Sequence, residues 1–210
     1  FDEAHALAPS PALDQARAQA WLELGLERLG RGDAGGAREA LGRANRSGTL
    51  DAEDKQTLEF ALQTLGVLGA NEPGDAAKVL ATTLGGQRYA GPTWARVRDI
   101  GMGYVAYGWL RAGNAEEARK ALERVRDRMA LGPAWESLAS AADDVEARKA
   151  YGAGNYAAAE KTWAAMVARG NKDPAVANNL AAARFMLGRS PEAEGAWKPV
   201  AASNIAVNHP

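Results

Sequence analysis

One turn recurs along this chain. Gly113-Asn114 is followed by Ala118, and Gly154-Asn155 by Ala159. Gly32-Asp33 with Ala37 and Gly188-Arg189 with Ala193 are looser copies, and a degenerate fifth has Asn71 in the glycine slot, then Ala76 and Leu80. In the four clearer copies a large apolar residue follows the alanine by four positions: Leu41, Leu122, Trp163 and Trp197. The five alanines lie 39, 42, 41 and 34 residues apart. A period of that length confines the chain to stacked supersecondary units, each packing on its neighbours.

Between the turns apolar residues recur every three or four positions, as in Leu22, Leu26 and Leu29 or Leu58, Leu62, Leu65 and Leu68. That is the spacing of amphipathic helices, and no stretch alternates with the period of a strand. Ser10-Pro11, Asp173-Pro174 and Ser190-Pro191 place a capping side chain before a proline suited to a first helical position. The pattern predicts eleven helices: a partial one near 1–8, then 12–30, 33–46, 51–69, 73–84, 92–112, 115–130, 133–152, 155–169, 174–187 and 190–202. The repeated alanines are expected where two helices approach within a methyl group, with the large residue one turn on filling the gap between hairpins.

Twenty-five basic and 26 acidic side chains leave a net charge of -1. Such a balance offers no general attraction to nucleic acid or anionic membrane. There is no cysteine, so disulfides and thiolate metal sites are excluded. No apolar run approaches the ~20 residues of a membrane span. The chain opens at Phe1, with no initiating Met and no signal-peptide pattern, and is expected to be a piece of a longer chain of the cytoplasm or periplasm. Its alanine, glycine and arginine usage suits a GC-rich bacterial genome.

The pattern resembles the tetratricopeptide repeat (TPR) family, whose 34-residue unit reads Trp-x2-Leu-Gly-x2-Tyr, then Gly, Ala-x3-Phe, Ala and Pro. Trp21, Leu24 and Gly25 fit the first half of one unit, with Arg28 in the tyrosine slot, and Gly32, Ala37, Leu41 and Ala44 fit its second half. Leu180, Ala181, Gly188, Ala193, Trp197 and Val200 match in the final unit, and Phe1, Ala4 and Pro9 resemble the close of a preceding one. The resemblance implies an all-α, right-handed superhelical solenoid forming a single domain over 1–210. Its parts would be the end of a truncated unit (1–11), repeats at 12–48, 49–90, 91–131, 132–172 and 173–203, and a tail at 204–210. An end left without a solvating helix further implies end-to-end self-association or a longer array.

Rival motifs carry little. Gly30 to Gly35 and Gly101 to Ala106 satisfy dinucleotide-binding patterns in letters, but one follows a helix and the other lies inside one, where amides are already bonded. Arg31-Gly32-Asp33 is explained by the turn, and Asn45-Arg46-Ser47 is a sequon of use only on a eukaryotic secretory route. His5 and His209 sit near the termini with no helical partner, so no metal site is expected. Asp143-Asp144 and Glu116-Glu117 point in different directions on a helix and read as solvated faces. Nothing argues for catalysis or a cofactor, and the expectation is a non-enzymatic protein.

In the family resembled, first helices line a concave groove that holds a peptide or partner segment. Carrying those positions over names Tyr104, Tyr107 and Arg111, then Arg148 and Tyr151, then Asn178 and Phe185, with Asp144 in the same line. The earlier units contribute Leu22, Leu26, Leu29, Leu65 and Leu68, which either line the groove or pack on other helices of the chain. The lysine and asparagine set of carboxylate-clamp members is absent, although Asn178 and Asn179 match part of it. A groove of leucine, tyrosine and arginine suits an amphipathic helix or an extended segment with some negative charge. Trp94 and Trp135 hold equivalent places and either pack on the preceding hairpin or serve as aromatic platforms. The expected role is a protein-protein interaction scaffold, with no nucleic acid partner. The alternative is a structural spacer or oligomerising segment of a larger assembly, possible settings being a bacterial envelope or secretion machine.

Overall fold

The computed structural model describes residues 10–86 and 92–202, and every regular element among them is helical. Ten α-helices follow in order: α1 (Pro11–Gly30), α2 (Ala34–Ser47), α3 (Ala52–Gly66), α4 (Pro73–Gly86), α5 (Pro92–Arg111), α6 (Ala115–Glu123), α7 (Ala134–Gly152), α8 (Tyr156–Ala168), α9 (Pro174–Met186) and α10 (Ser190–Ala202). Neighbours in sequence pack together, α1 on α2, α4 on α5, α5 on α6, α8 on α9 and α9 on α10. The helix expected near 1–8, both histidines and the 204–210 tail lie outside the described residues. The chain divides into two compact units, Phe1–Leu138 and Ala139–Pro210.

The recurring turn is one hydrogen-bonded device used four times. Gly32, Gly113, Gly154 and Gly188 have φ of 79°, 72°, 77° and 76°, the left-handed region that a Cβ disfavours. The residue after each glycine donates its N–H to the carbonyl five positions back: Asp33 to Arg28, Asn114 to Trp109, Asn155 to Ala150 and Arg189 to Arg184, each at 2.9 Å. This Schellman closure satisfies carbonyls that a helix end leaves without partners. Asp33, Asn114 and Asn155 then accept from the amides of Gly36, Glu117 and Ala158, so the same side chain starts the next helix.

Ala37, Ala118, Ala159 and Ala193 are fully buried, as a seam between close helices requires. The degenerate fifth copy is out by one position. Ala76 is half-buried, whereas Ala77 is sealed beneath Gly108, whose added Cβ would lie 2.8 Å from the Ala77 methyl. The turn glycine is missing there, and a 3-10 turn at Val67–Gly69 makes the connection instead, which shifts the register. The expected helix over 51–69 therefore ends as an α-helix at Gly66.

A second correction concerns 115–130, which is helical only to Glu123. Asp99 on α5 is the cause. Its buried carboxylate accepts from the amides of Arg126 (3.2 Å) and Asp127 (2.8 Å), and its other oxygen takes two bonds from Arg98. Those amides cannot also serve a continuing helix, and the chain turns into a short 3-10 element, Arg128–Ala130.

Candidate interaction surface

The seven positions expected to meet a partner fall into two sets, one in each unit. In Phe1–Leu138, Tyr104, Tyr107 and Arg111 form one stripe of α5 at helical spacing. Tyr104 is buried and donates its hydroxyl to the Leu29 carbonyl of α1 at 3.1 Å. Burial first, then the Asp33 carboxylate and Tyr107, push its phenol up to about 12. Tyr107 is 37% exposed. Arg111 is exposed and donates to the Leu68 carbonyl at 3.0 Å, tying α5 to the 3-10 turn behind α3.

The leucine rows of this unit are mostly core. Leu22, Leu26, Leu29, Leu58 and Leu65 are buried, Leu68 is half-exposed and Leu62 is exposed. α1 packs on α2, α3 and α5, and α3 packs on α2 and α5. A Cβ on Gly30 would sit 2.5 Å from the Ala130 carbonyl and close to Ile100, so the end of α1 is shut as well. Packing on other helices of the chain, the second of the two readings, is what the structure shows for the buried leucines.

In Ala139–Pro210 the arrangement is more polar. Arg148 is 62% exposed and pairs with Asp144 at 2.7 Å. The other Asp144 oxygen accepts from the Trp163 indole N–H at 2.9 Å. Asn178 is buried and accepts from the Trp197 indole N–H, also at 2.9 Å. These two bonds are repeat equivalents, since each spans 19 residues from first helix to second. Asn178 thus serves the fold. Asp143-Asp144 is likewise engaged rather than solvated, with Arg169 on Asp143 and Trp163 and Arg148 on Asp144.

Tyr151 is half-buried, edge-on to Tyr156 with centroids 5.1 Å apart and tilted against Trp163 at 5.9 Å. Phe185 is 55% exposed, with Met186 and Leu187 exposed beside it and Trp197 at 6.1 Å. A charged network borders this face: Arg184 and Arg189 both reach Glu160, and Arg189 also binds Glu192. The hydrogen bond from Arg189 holds the Glu192 carboxyl below its usual range.

Trp94 is buried edge-on to Phe60 at 4.8 Å, and Trp135 is half-buried under the Arg128 guanidinium at 4.8 Å. Packing accounts for Trp94. Sequence reasoning overlooked Asp99, although an aspartate between the apolar Val97 and Ile100 of one helix is a visible oddity. Among the described residues, no group of three or more His, Asp or Glu is arranged to hold a metal ion, and no helix is long and apolar enough to cross a membrane. No protein-family description, curated protein or solved structure matches the chain.

Proposed function

We propose that this chain is a TPR-like solenoid segment, non-enzymatic, whose first-helix faces hold an extended or helical segment of another protein. One observation carries the reading. Six positions before the turn glycines stand Leu26, Tyr107 and Arg148; the leucine is sealed, but the tyrosine and arginine face solvent. Three positions before, Leu29 is buried and Phe185 is exposed. Large side chains with solvent-facing surface thus stand at equivalent positions of later first helices. Arginine and exposed aromatics are enriched among residues that dominate binding energy. The role of scaffold comes by analogy with the family resembled.

The test is cross-linking capture from the host with this chain and with a Tyr107→Ala, Arg148→Ala, Phe185→Ala variant. The same partner should be recovered repeatedly with the parent and lost with the variant, while helical content and melting stay unchanged. Retention of that partner by the variant would favour the spacer reading instead.

A further inference from the structure

We propose that the segment from Arg124 to Met129, held rigid by the buried Asp99, docks an acidic segment of another protein that carries an apolar side chain. This surface does not rest on the first-helix faces above. After α6 ends, Val125 and Leu131 are buried as anchors, while Arg124, Arg126 and Arg128 are all exposed. The three arginines fall within five residues of a compact turn, Arg124 closing α6 in right-handed helical geometry and Arg128 opening the 3-10 turn. Asp99 takes the amides of Arg126 and Asp127, so the backbone beneath the arginines is fixed before any partner arrives.

Most described arginines of their unit are engaged: Arg28 and Arg111 donate to backbone carbonyls, and only Arg38 and Arg46 on α2 share the lack of an acceptor. Arg17, Arg31, Arg43, Arg96 and Arg98 each pair with a carboxylate. Among the described residues, the side chains of Arg124 and Arg126 have no acceptor, and Arg128 lies over Trp135 with no carboxylate. The nearest acids in the stretch are Glu123 and Asp127, and Asp127 already accepts from the Met129 amide at 2.9 Å. Unpaired guanidinium groups favour a carboxylate partner, which they bind bidentately.

Met129 adds the apolar component. It is 84% exposed, more than any other large apolar residue described. A flexible thioether suits varied apolar side chains and would gain nothing from phosphate. Glu123 and Asp127 interrupt the positive run. A polyanion that needs many consecutive phosphate contacts is therefore poorly served.

Fluorescence anisotropy at low salt gives the test. The probe is a fluorescein-labelled peptide alternating glutamate and serine around one leucine, compared with the same peptide carrying glutamine for glutamate. The parent should bind the acidic peptide and not the glutamine one, and added salt should weaken binding. Arg124→Ala with Arg126→Ala should weaken it roughly tenfold or more. Arg38→Ala with Arg46→Ala, the same loss of charge elsewhere on the unit, should leave it unchanged. Circular dichroism would show both variants folded, since none of the four side chains holds the core. Equal loss in both variants, equal binding of the glutamine peptide, or no binding would overturn the proposal. So would tighter binding of a single-stranded oligonucleotide of similar length, which would assign the surface to nucleic acid.

Discussion

In Phe1–Leu138 helices meet over glycine. A methyl group added at Gly25, Gly101, Gly103 or Gly108 would come 2.5–2.8 Å from a neighbouring side chain, and at Gly108 also 2.9 Å from the Pro73 carbonyl. In Ala139–Pro210 the same addition at Gly152 or Gly195 meets open space. There the helices are spaced by Trp163 and Trp197, each anchored by its indole N–H to the first helix of its hairpin. The turn and the alanine seam are common to both units. In the first unit α1 packs on α2, α3 and α5 and its leucines are buried, whereas in the second Arg148 and Phe185 stay outside. The first-helix face is core in one unit and surface in the other.

The sharpest way to break this contrast is at Asp99. Asp99→Ala strips the acceptor from two backbone amides and Arg98, and should cost about 3 kcal/mol in urea unfolding. Arg169→Ala, which removes the exposed partner of Asp143, should cost under about 1 kcal/mol. Alkaline pH acts on the first unit next. The Tyr104 phenol is raised to about 12 from 10.0, so above pH 10 the unfolded chain loses its proton first and stability falls as pH rises towards 12. The loss should reach about 2–3 kcal/mol, and a Tyr104→Phe variant should lack it in denaturant titrations across that range.

Glycine replacements compare the units directly. Gly108→Ala should destabilise by about 1–3 kcal/mol through overpacking. Gly195→Ala, in open space on α10, should stabilise by about 0.5–1 kcal/mol. Equal effects from the two changes in thermal unfolding would refute the packing distinction. A further comparison concerns the indole bonds. A double-mutant cycle of Asp144→Ala and Trp163→Phe should give a coupling of about 1 kcal/mol. The same positions in the first hairpin hold Leu22 and Leu41, where no polar bond exists to couple.

Much of the fold was legible because its signals are local. Turn glycines, capping Asn or Asp and helical spacing act within a few residues, and the four clear turns stand where they were expected. The misreadings arose where a distant residue intervened. Asp99 stops α6 from a position 27 residues earlier, which periodicity cannot register. Nothing near Ala76 in sequence reveals that Gly108 selects Ala77 instead. The candidate surface was less legible for the same reason. Tyr104 and Tyr107 look alike as letters on one stripe, yet only contact with Leu29 decides which is withdrawn from solvent. Asn178 resembled a clamp residue until its repeat equivalence with Asp144 exposed its bond to Trp197.

The four glycine turns also bear on how the chain comes into being. Each closes through atoms no more than five residues apart, so a hairpin needs nothing from later sequence to form its bend. Contacts between successive helices are likewise short in range, the arrangement associated with rapid folding. A ribosome releasing this chain would let each bend close as it emerges, while the faces of α1 and α3 wait for α5 to be made.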